Sequence, residues 1–155
     1  MDSLFAWIET TSVARATANS LALTAALSAI HLLGFTLVMG SALLANLKRL
    51  GALLPQCSVA AVLRPANRAI LVGLAISVTT GALLFAARAT AVSANGTFQL
   101  KMLLLLTAAA FHFAVGRNDY VQRPGVAPWA RAGAAVSLSL WFALAVTACA
   151  FILLE

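Results

Sequence analysis

Charge is scarce in this chain: only 9% of its 155 residues are Asp, Glu, Lys or Arg, and only four are acidic. None of those four (Asp2, Glu9, Asp119 and Glu155) falls inside a long apolar run, which excludes carboxylate-based acid–base or nucleophilic catalysis within the runs. Cysteine is scarcer still, and the only two, Cys57 and Cys149, build neither a disulfide framework nor a CxxC metal motif. Methionine shows no MxxxM pattern and no clustering with histidine of the kind that soft-metal sites use. A basic segment ahead of an apolar core, the mark of a cleaved leader, is missing from residues 1–15, which carry Asp2, Glu9 and Arg15, so the start is expected to stay uncleaved.

What the chain does have is apolar surface. Hydrophobic residues make up 63% of it and the mean hydropathy is +0.99, more than a soluble domain of this size can hide. Four runs reach the ~20 residues that a helix needs to cross a bilayer. They cover about 20–47, 65–87, 98–116 and 131–154. Helices are expected because an open sheet leaves backbone groups unsatisfied in lipid. Leu4, Phe5, Trp7 and Ile8 recur at helical spacing ahead of the first run, so residues 3–18 are expected to form a short interfacial helix, with Ser20 capping the first span. Pro65 suits the first turn of the second span. The reading is a single all-α domain over 1–155, an integral membrane four-helix bundle lying in a lipid bilayer.

The net charge of +6 sits between the apolar runs and not on a soluble face, so no nucleic-acid partner is expected. Seven of the ten basic residues flank the first and third connections: Lys48, Arg49, Arg64, Arg68, Arg117, Arg123 and Arg131. Positive charge gathers on the cytoplasmic side, which places both termini outside, in the periplasm of a bacterial inner membrane. Tyr120 and Trp129 are expected at the interface of the third connection.

His31 and His112, the only histidines, both lie within spans. Polar groups there are costly and point to function, although a histidine can also simply hydrogen-bond a neighbouring carbonyl. Counted from the outer helix ends, the two sit ~16 and ~21 Å deep. They stand on alternate helices, about a 14 Å diagonal apart in a bundle. Two imidazoles at that separation could hold one b-type haem. Gly34, Gly40, Gly73, Gly81 and Ala108 to Ala110 supply room for a flat ring, while Arg88 and Lys101 could neutralise its propionates or merely reach the interface. Copper handling, through residues such as Met39 and Met102, and a cofactor-free accessory subunit remain open alternatives. Gly133, Ser137, Ser139, Ala143, Ala145 and Ala148 would let a fourth span pack closely against a second copy, giving a homo-oligomer.

These residues also carry a resemblance. Trp7-Ile8-Glu9, His31, Gly34, Gly40 and Arg49-Leu50-Gly51, followed by Thr80-Gly81, Phe85, Phe98, Lys101 and Phe111-His112, resemble a group of small bacterial four-helix membrane proteins of unassigned function. The same stretch is similar to the membrane domain of copper-resistance protein D, with its H-x-x-G helix and lysine-headed helix. The resemblance covers roughly residues 4 to 115. It implies a haem b-binding role in electron transfer or redox sensing, with a quinone or redox protein as partner, and not a known enzymatic reaction.

Overall fold

The computed structural model describes residues 2–119 and 128–154. They form helices and no strands: α1 (Asp2–Glu9), α2 (Ser12–Asn19), α3 (Leu21–Leu50), α4 (Val59–Ala86), α5 (Ala89–Ala94), α6 (Gly96–Asp119) and α7 (Pro128–Leu154). Four of these, α3, α4, α6 and α7, are long and apolar enough to cross a membrane. The protein is an all-α, multi-pass membrane four-helix bundle. The connection that holds Tyr120, Arg123 and Pro124-Gly125 lies outside the described residues.

Local chemistry explains the helix ends. Ser20 Oγ accepts from the Leu23 amide at 3.2 Å, the cap expected for the first span. Gly51 closes α3 with φ 78°, a left-handed turn that favours glycine. Lys48 Nζ then donates to the carbonyls of Leu54 and Cys57, each at 2.7 Å, and ties down the turn that follows.

Three boundaries differ from the sequence reading. The interfacial segment is two helices, because the Thr10 amide closes α1 on the Trp7 carbonyl while Thr11 Oγ1 caps α2 through the Ala14 amide. Pro65 lies inside α4, which starts at Val59. Its missing N–H removes only the bond to the Ala61 carbonyl near the helix end, a loss that a long helix tolerates. The connection after α4 contains α5, whose Thr90 amide donates to Glu9 Oε1 of α1 at 2.8 Å. Asn95 Oδ1 caps α6 through the amides of Thr97 and Phe98.

In the bundle α3 packs along α4 and against α7, and α6 packs on α7. Val38, Ala42, Ile70, Ala108, Trp141 and Leu144 form the buried core, while side chains such as Leu33, Leu103, Leu106 and Phe142 face outward as a lipid surface. The small residues of α7 are largely used within the chain: Ala134, Ser137 and Ala148 are buried, and Gly133 lies beside Val115. Of the expected cofactor glycines, Gly34 and Gly73 instead bring α3 and α4 into backbone contact, a close approach that substitutes for hydrophobic driving force between helices in lipid. A Cβ on Gly73 would stand 2.7 Å from the Gly34 carbonyl oxygen, and one on Gly34 would stand 2.7 Å from Ser77 Oγ. Gly40 meets nothing within 4 Å and is exposed. Thermal unfolding in mild detergent should therefore show Gly73→Ala destabilised by about 1–3 kcal/mol, the cost of overpacking, with Gly40→Ala close to wild type.

Candidate functional site

His31 projects from α3 against the last turns of α4. Its Nδ1 lies 2.9 Å from the Ser77 carbonyl oxygen and 3.2 Å from Thr80 Oγ1. A carbonyl only accepts, and the Thr80 hydroxyl spends its own hydrogen on the Ile76 carbonyl at 2.7 Å. Nδ1 must therefore carry the proton, and Nε2 holds a lone pair with no hydrogen-bond partner among the described residues. This is the arrangement that metal-ligating histidines adopt, one nitrogen fixed by a carbonyl and the other presented. The ring is half-buried and rests on Gly81, where a Cβ would come within 2.9 Å of His31 Cε1.

Aromatic rings from four helices line the same end of the bundle. Phe5 of α1 meets Phe85 of α4 edge-on at 6.0 Å, Phe85 stacks on Phe98 of α6 at 5.4 Å, and Phe98 lies 5.9 Å from Phe151 of α7. Lys101 Nζ sits 5.4 Å from the centre of the Phe151 ring, within reach of cation–π attraction. Arg88 is exposed at the head of α5. Glu9 and Asn95, through the caps above, hold α1, α5 and the start of α6 around this mouth.

His112 occupies a different place. It is fully buried on α6, where Arg49 Nη1 approaches its Nδ1 at 3.4 Å and its Nε2 lies 3.1 Å from Asn67 Oδ1. A guanidinium cannot accept, so Nδ1 must, and Nε2–H donates to Asn67. Ser137 Oγ stands 3.5 Å from Nδ1, Arg49 also donates to Asn46 Oδ1 at 3.3 Å, and Trp141 lies edge-on to the imidazole at 6.1 Å. All four spans contribute, and both ring nitrogens of His112 are already engaged.

The structure does not bring the two histidines together, which corrects the expectation of one haem held by both. Along α4 the partners of His31, Ser77 and Thr80, lie ten to thirteen residues from Asn67, the partner of His112, or ~15–20 Å along the axis. On α6 the residue whose charge acts on His31 is Lys101, ~16 Å along the helix from His112. Equal counting from the outer ends fails because α5 intervenes and α6 starts deeper in the bundle than α3.

Among the described residues no three of His, Cys, Asp and Glu converge on a common point, and Cys57 and Cys149 are both free and exposed. Sequence reasoning missed the inner network of Asn46, Arg49, Asn67, Ser137 and Trp141, and the pair Ser77 and Thr80 that hold His31. Asparagine within an apolar helix was the available signal, since an amide there demands a partner. Arg49 reads as a flanking base, yet it is buried, because side chains on a helix slant toward its N-terminus and this one turns inward.

Neither the curated proteins nor the solved structures contain a match to this chain. A family model does match, over residues 4–153, and it includes the residues of both polar centres. The chain belongs to that family, described as a family of unknown function (DUF6644).

Proposed function

We propose that the protein is a membrane-embedded haem b protein in which His31 Nε2 ligates the iron, serving electron transfer or redox sensing. The observation that carries this reading is the fixed tautomer of His31, which presents an unengaged lone pair in the half-buried mouth between α3, α4 and α6. Gly81 allows close approach to the imidazole, the phenylalanine rings offer an apolar wall, and Lys101 with Arg88 supplies positive charge for propionates. Bound there, a haem supplies one-electron chemistry, and the chain's own residues hold it, exclude water and set its surroundings. His112 has no ligating role in this reading; it accepts from Arg49 and joins α6 to α4. The distribution of basic residues supports an inner membrane location with both termini, and hence the His31 mouth, on the periplasmic side, where a quinone or redox protein could exchange electrons.

An absorption spectrum of protein produced with ample haem tests the assignment. Wild type should show a Soret band, and His31→Ala should lose it. His112→Ala should keep the band while losing about 1–3 kcal/mol of stability, because it removes one of the acceptors of the buried Arg49 guanidinium and leaves Asn46 as another. A haem-free wild type overturns the cofactor, and an unchanged spectrum in His31→Ala overturns the ligand.

Lys101 gives a separate test. If its ammonium neutralises a propionate, worth about 1 kcal/mol at a partly exposed site, Lys101→Ala should release haem to apomyoglobin about fivefold faster, and Lys101→Arg should restore the slow rate.

A further inference from the structure

Arg64 and Arg68 stand four residues apart on α4, both exposed, on the face opposite the buried Val62, Leu63, Ala66 and Ile70. At this spacing their side chains are neighbours on the helix surface. Two like charges so placed repel one another unless an anion lies between them. Neither makes a hydrogen bond or ion pair among the described residues. No acidic residue occurs between Glu9 and Asp119, so α3, α4 and α5 carry no carboxylate at all.

What adjoins the pair on the same outward face is apolar: Leu71 is 55% exposed, Val72 53% and Val78 56%, with Ala75 exposed between them. From Arg68 to Thr79 this track runs ~16 Å, close to the ~15 Å depth of one leaflet's hydrocarbon. Two neighbouring arginine side chains thus stand at the foot of an apolar strip about as long as one leaflet is deep.

We propose that this face of α4 is a binding site for an anionic phospholipid, its phosphate held between Arg64 and Arg68 and one acyl chain lying along Leu71, Val72, Ala75 and Val78. Arginine suits the task because its planar fork bonds phosphate oxygens two at a time, and the paired positive charge favours a headgroup without a cation of its own. An acidic protein partner fits less well, since the charge adjoins a lipid-length apolar strip. The proposal is independent of haem binding.

Native mass spectrometry of the full chain, titrated in mild detergent with phosphatidylglycerol or phosphatidylcholine, provides the test. Wild type should retain phosphatidylglycerol in clear preference. Arg64→Gln/Arg68→Gln should weaken that preference by about 30-fold, equivalent to about 1 kcal/mol per arginine near an anionic headgroup. Arg64→Lys/Arg68→Lys, which keeps the charge but not the planar fork, should lose only part of the preference, and Arg15→Gln at the other end of the molecule should retain it. Circular dichroism confirms that each variant is folded. An unchanged preference in the glutamine variant overturns the proposal, and so does an equal loss in the lysine variant or in Arg15→Gln.

Discussion

Where Gly34 faces Gly73, the backbones of α3 and α4 come so near that no side chain larger than hydrogen fits without movement. In lipid, helices gain little from hiding apolar surface from one another, so contact of this kind has to hold the pair together. Its consequences reach both polar centres. His31 lies one turn before Gly34 on the same face of α3, and the close approach puts the Ser77 carbonyl within hydrogen-bonding distance of its ring. Ser77 Oγ in turn donates to the His31 carbonyl at 3.3 Å, so the two helices exchange polar contacts beside their glycines.

The bundle keeps its two imidazoles for different work. At one end Nδ1 of His31 is anchored and Nε2 is left available, beside a lysine and four phenylalanine rings. At the other, His112 has both nitrogens engaged within a network drawn from all four spans. Burying a guanidinium is costly unless its hydrogens find acceptors, and Asn46 and His112 provide two of them. The inner network thus acts as a polar clasp on an otherwise apolar core, while at the outer end the half-buried His31 ring has one nitrogen with no hydrogen-bond partner among the described residues.

The scarcity of acidic residues joins these features. With no carboxylate along α3, α4 or α5, their positive side chains find other partners. Lys48 turns to the carbonyls of the loop after α3, Arg49 to an imidazole and an amide, and Arg64 and Arg68 point outward along the lipid face. Each solution follows from where helix packing leaves the side chain.

The class of protein was legible in the residues alone, because crossing a bilayer depends on local hydropathy and length. Four runs of about 20 apolar residues, Ser20 as a cap and Gly51 as a stop are all properties of short segments. His31, Gly81 and Lys101 could likewise be singled out, since polar groups and small residues stand out against an apolar background. What tertiary structure decided was which of them meet. The depth of His112 depends on how far α6 slides past α3, and that register is set by α5 and by distant contacts with Asn67 and Arg49. Gly34 could equally have opened a cavity or closed a contact, and only the position of Gly73 on the neighbouring helix settles it. The tautomer of each histidine follows from partners more than 40 residues away, with no trace in its own segment.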